Sequence, residues 1–152
     1  MQVKTLRDVV RWTDRFHQNL SQCLIHCADN QDKERASLLL NYLSDHEKTL
    51  QKTISRIEQS ASINALNTWC YEYLDKYPIR KNNECDKPFD KMNTDEIIRE
   101  VVTLHNQVIS LYRFLLSRAE CNSSRELLKQ LVTIEEHEAM QMSHSANRLR
   151  DL

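Results

Sequence analysis

Residues 127–149 read LLKQLVTIEEHEAMQMSHSANRL. Leu127, Leu128, Leu131, Ile134, Glu135, Glu138, Met142, Ala146 and Leu149 recur at steps of three and four, which places them on one side of a helix, the side that faces a core. Two carboxylates, Glu135 and Glu138, interrupt the apolar stripe near its middle. Burying a charge is costly unless it is paired or bound to a metal, so the interruption calls for a partner.

Three more stripes of the same kind precede it. A Thr5-x-x-Asp8 capping box opens a first helix that carries Leu6, Val10, Thr13, His17, Leu20, Leu24 and Cys27, with Phe16 and Cys23 alongside. Asn and Asp at 28–30 stand in as turn formers. A second helix then runs from about Asp32 through Ala36, Leu39, Leu40, Leu43, Glu47, Leu50, Ile54 and Ile57, with Lys33, Lys48, Lys52 and Arg56 on its outer face. A third starts at Asn93 or Thr94, with Glu96 placed to complete a cap, and shows Ile98, Val101, His105, Val108, Tyr112 and Leu115. Ser123-x-x-Glu126 reads as the capping box of the fourth. Short turns join the helices into two antiparallel hairpins, residues 4–59 and 94–150.

Shifting the second hairpin back by 88 positions pairs His17 with His105, Leu39 with Leu127, Leu40 with Leu128, Leu43 with Leu131 and Glu47 with Glu135. Each hairpin thus has a histidine on its first helix and a glutamate thirty residues later on its second. All four polar residues fall near helix midpoints, and the reading places them in one central layer.

Composition narrows the classes. The 152 residues fit one domain, residues 1–152, with a single substantial core. A formal net charge of −1 with interspersed signs gives no electrostatic footprint for nucleic acid. No apolar stretch approaches membrane-spanning length, and Met1–Asp14 lacks the apolar run of a signal peptide, so a cytoplasmic protein without membrane contact is expected. The chain has no glycine, hence neither phosphate-cradling fingerprint, and its two prolines, Pro78 and Pro88, both lie in the central segment. Five cysteines without a CxxC pair suit reduced thiols. Cys23 and Cys27 share a helix face, but no further ligands stand at zinc-finger spacing.

The central segment, residues 60–93, is a long crossover. Ser62 is placed to cap a short helix through Trp69, Tyr71 and Leu74, and residues 80–90 read as loop. A second helix of about 28 residues is roughly 42 Å long, and some fifteen extended residues at about 3.3 Å each can run back along it. The third helix then starts beside the start of the second. The expected fold is all-α, a four-helix bundle of two hairpins in up-down-down-up order.

At this point the chain resembles the ferritin-like superfamily of dimetal-carboxylate bundles. In that family each hairpin supplies a Glu from its first helix and a Glu-x-x-His from its second. Glu47 and Glu135 match the second-helix glutamates, while His17 and His105 stand where the family has glutamates. Leu50 and Glu138 stand where it has the paired histidines. The resemblance implies a metal site of five ligands at most: His17, Glu47, His105, Glu135 and Glu138.

Two imidazoles and two or three carboxylates suit iron, manganese or zinc, and an open coordination position could activate dioxygen or water. The alternative is a metal-free layer in which His17 pairs with Glu47 and His105 with Glu135, in a non-catalytic module that binds another protein or a second copy of itself. A haem between His17 and His105 is opposed by the bulk of Leu20 and Tyr112. His46 and His137 read as boundary or surface residues, and His26 and His144 as solvated. Trp12, Trp69 and the tyrosines at 71, 73 and 77 read as crossover packing or a patch for a partner. No substrate, reaction or nucleophilic centre emerges from the residues.

Overall fold

The computed structural model describes residues 4–70 and 87–150, the side chains of residues 146, 149 and 150 excepted. Four long helices make the body: α1 (Leu6–Asn30), α2 (Glu34–Ser60), then, after a four-residue helix α3 (Ile63–Leu66) and a 3-10 turn (Phe89–Lys91), α4 (Thr94–Arg118) and α5 (Asn122–Arg150). No described residue has positive φ, so a chain without glycine meets no strained position here.

The helix starts follow the capping chemistry at two places. Thr5 and Asp8 form a reciprocal capping box before α1, with Asp8 N–H on Thr5 Oγ1 at 3.4 Å and Thr5 N–H on Asp8 Oδ2 at 3.1 Å. Asn93 and Glu96 do the same before α4. The third expectation is corrected. Helix α5 begins at Asn122, and the Cys121 carbonyl accepts the first intrahelical bond from Arg125 N–H at 3.0 Å. Cys121 therefore holds the cap position, and Ser123 lies inside the first turn.

Cross-helix pairs fix the directions. Ser21 meets Ser44, His17 meets Glu47, and Asp14 meets Gln51, so α1 and α2 are antiparallel. His105 meets Glu135 while Arg125 reaches the Leu116 carbonyl, so α4 and α5 are antiparallel. Tyr42 bonds Ser145 and His46 bonds Glu138, which makes α2 antiparallel to α5. Helices α2 and α4 are thus parallel, and the order is up-down-down-up.

The crossover is tied down at both ends of the bundle. At one end Leu6 N–H donates to the Thr68 carbonyl at 2.9 Å and Cys70 N–H to the Lys4 carbonyl at 2.7 Å, an isolated antiparallel bridge. At the other, the Gln31 amide donates to the carbonyls of Phe89 and Met92, and the Phe89 ring is fully buried. Helix α3 is shorter than its expected reach to Leu74. Its cap at Ser62 is as read, but the chain turns out of the helix at Asn67 to make the bridge to Lys4. Tyr71, Tyr73 and Tyr77 lie outside the described residues.

One apolar core fills the space between the helices. Every stripe residue named for α1 and α2 is buried. On α4 Ile97 is fully buried and Ile98 only partly, a shift of one position at the first turn. Leu43 and Leu131 are both at zero exposure. The cysteines are mixed rather than uniformly reduced: Cys23 is in a disulfide, whereas Cys27, Cys70 and Cys121 are not.

Candidate metal centre

Midway along the bundle His17, Glu47, His105 and Glu135, one from each long helix, meet with no solvent exposure at all. Their contacts close a ring. His17 Nδ1 lies 2.6 Å from Glu47 Oε2, and His17 Nε2 lies 2.6 Å from Glu135 Oε1. His105 Nδ1 lies 3.1 Å from Glu135 Oε2, and His105 Nε2 lies 2.5 Å from Glu47 Oε1. Every ring nitrogen and every carboxylate oxygen has one partner.

The proton count follows. An ionised carboxylate only accepts, so each of the four nitrogens facing one must carry a hydrogen. With both glutamates ionised, both histidines are imidazolium and the layer is neutral with four charge-assisted bonds. Burial by itself drives all four groups toward their uncharged forms. The opposite charges overcome it: Glu135 and Glu47 hold His17 up at about 9, and the same pair holds His105 at about 10. Conversely, His105 and His17 hold Glu47 down at about 2, and lower Glu135 as well.

Packing fixes the ring in place. Phe16 meets His17 edge-on at 5.2 Å and Trp12 stacks on Phe16 at 5.5 Å. The two imidazole centroids are 5.2 Å apart with every nitrogen engaged, which leaves no room for a macrocycle between them. One turn along α1 and α2 the halves differ. Ser21 and Ser44 exchange hydroxyl and carbonyl bonds at 2.9–3.0 Å, where the repeat has Ile109 and Val132. The buried Tyr112 hydroxyl, two turns from His105, faces Thr13, whose own hydroxyl donates to the Val9 carbonyl at 3.0 Å. Burial and the nearby Glu135 charge push its ionisation well above the usual value.

Of the five residues expected at the centre, four are in the ring. Glu138 is not: it meets His46 Nδ1 at 3.1 Å in the α2–α5 seam, half-buried. His46 had no sequence signal beyond its place beside Glu47, and its ring also packs on Tyr42 at 4.4 Å. His26, His137 and His144 are exposed, as read.

No family model and no curated protein matches the chain. Among solved structures, it is similar over 94% of its length to a Thermotoga maritima crystal structure described as a ferritin-like diiron-carboxylate protein, at 10% identity, with 95% of that chain covered and a TM-score of 0.55. The fold is ferritin-like. At that identity the similarity speaks for the ferritin-like architecture alone, so the chemistry rests on this chain's own donors. His17, His105 and Glu135 each offer a ligand atom within 4.8 Å of the others. Imidazole and carboxylate donors are of the kind that divalent transition metals take, and they fall short here of the six ligands of the ferritin-like metal pair.

Proposed function

We propose that the His/Glu layer of this ferritin-like bundle binds one divalent transition-metal ion, iron, manganese or zinc, and that the protein works in metal or redox handling. The observation that carries the reading is the convergence of His17, His105 and Glu135 within ligating reach of one another, fully buried. Glu47 bonds both histidines from the opposite side of the ring and lies outside that group of three, and Glu138 stands one turn away on α5. The lone pairs that would take an ion are those that hold protons in the ring, so ion and protons compete for one place. A bound ion would supply Lewis acidity there.

Chelator-treated protein prepared without an affinity tag tests this. Titration with Zn²⁺, Mn²⁺ and anaerobic Fe²⁺, read by calorimetry and elemental analysis, should show one ion per chain. The double variant Glu47→Gln, Glu135→Gln should lose the ion and keep its helical circular dichroism. Absence of binding to the wild-type chain, or undiminished binding to the double variant, would sink the proposal.

A second reading has its own observation. The nitrogen–oxygen separations of 2.5–3.1 Å are those of shared protons, and none of the ring's polar atoms lacks a partner. In this reading the ring is a permanent metal-free layer in a non-catalytic module that acts by binding another protein or a second copy of itself. The same titration separates the two.

A further inference from the structure

A ring at zero exposure raises the question of how an ion would reach it. Two seams between helices bring partly exposed polar side chains beside the ring residues. In the α1–α2 seam the Gln51 amide donates to Asp14 Oδ1 at 2.7 Å. In the α2–α5 seam His46 Nδ1 meets Glu138 Oε2 at 3.1 Å, with side chains 24% and 16% exposed. The second pair consists of an imidazole and a carboxylate, both good ligands for a divalent transition metal, whereas an amide is a poor one. His46 directly precedes Glu47 on α2. Glu138 follows Glu135 by three residues on α5, a spacing that puts their Cβ atoms about 5–6 Å apart.

Elsewhere among the described residues the ring's neighbours are buried, with Ser21 and Ser44 bonded to each other one turn away. Phe16 packs edge-on against His17 with Trp12 stacked on Phe16, and the buried Leu43 and Leu131 lie one turn away. We propose that the His46–Glu138 pair is the outer capture site at which a divalent transition-metal ion is first held before it passes inward to Glu47 and Glu135. This rests on the metal reading above. Tyr42 orients the site: its ring packs on His46 at 4.4 Å while its hydroxyl is tied to Ser145 Oγ at 2.6 Å. The carboxylate of Glu138 attracts the hydrated cation, and the His46 nitrogen replaces one of its waters. A rotation of Glu138 about its own side chain then carries the ion toward the Glu135 carboxylate on the same helix face.

The test is kinetic. Co²⁺ is mixed rapidly with chelator-treated protein and its visible ligand-field absorption is followed, with the equilibrium affinity measured separately. Glu138→Gln should slow association by about tenfold or more, the range over which a local charge steers a cation, and His46→Gln should slow it through loss of the ligand nitrogen, while equilibrium affinity stays within about threefold of wild type. Asp14→Asn, in the other seam, should leave the rate unchanged. Wild-type rates in both α2–α5 variants would overturn the capture site. So would an affinity loss in Glu138→Gln without a slower rate, because Glu138 would then be a ligand of the bound ion. Failure of the wild-type chain to bind Co²⁺, Zn²⁺ or Fe²⁺ at all would overturn the metal reading itself, a result distinct from either.

Discussion

His17 and His105 stand in the same relation to the two glutamates, atom for atom. Each gives Nδ1 to Oε2 of the glutamate in its own hairpin and Nε2 to Oε1 of the glutamate in the other. The shift of 88 positions in the sequence is therefore a two-fold axis in space, and neither hairpin satisfies its own polar groups alone.

Removing one acceptor from such a ring strands two buried N–H groups. Glu47→Ala and Glu135→Ala should each destabilise the metal-free protein by about 3–5 kcal/mol, the usual effect of breaking a buried ion pair. Symmetry predicts similar losses for the two. Glu47→Gln should cost distinctly less, because a glutamine offers one acceptor and one donor, and His17 can shed a proton to accept from it. Urea unfolding of the three variants checks the order. A glutamine variant as unstable as the alanine one would show that charge, and not hydrogen-bond satisfaction, governs the layer.

Linkage fixes the sign of the pH dependence. The histidines titrate near 6.5 when unfolded and near 9 and 10 when folded, so their contribution is full below about pH 6.5 and lost as pH rises through 9–10. Glu47 titrates at 4.5 unfolded and near 2 folded, so its contribution is present above pH 4.5 and lost as pH falls toward 2. The ring should stabilise the metal-free chain most between pH 4.5 and 6.5. The stability difference from the Glu47→Gln, Glu135→Gln double variant should shrink steadily from pH 6.5 to 10. Nitrogen NMR at pH 7 should show His17 and His105 doubly protonated; a neutral tautomer at either would contradict the charge assignment.

Leu43 and Leu131 are repeat mates, one turn from the ring and both at zero exposure. Leucine to alanine at either should cost about 2–5 kcal/mol through lost burial and the cavity left behind. Chemical denaturation would read it, and a loss of about 0.5 kcal/mol or less, as at a surface position, would place these residues outside the tight core.

Much of this was legible in the sequence because it depends on period and on symmetry. The four stripes follow from 3.6-residue repetition, and the ring residues from polar breaks recurring at one depth. The topology was readable from the length of the crossover. What escaped depends on helix rotation and on local competition. Ile97 rather than Ile98 is buried because the first turn of α4 rotates its neighbour outward. Cys121 takes the cap that Ser123-x-x-Glu126 suggested, since helix α5 starts two residues earlier. The pairing of Glu138 with His46 depends on how α2 and α5 face each other, which no single helix encodes.

The two-fold ring also bears on how the molecule is put together. A lone hairpin would bring one histidine and one glutamate, each with half its partners missing, and a second identical hairpin would supply the rest. The present chain is, in effect, a dimer made covalent, with the crossover turning what would be an encounter between molecules into one within a molecule. Its clamps at Lys4–Cys70 and at Gln31–Phe89 keep the second hairpin beside the first and oppose an exchange of hairpins between neighbouring chains.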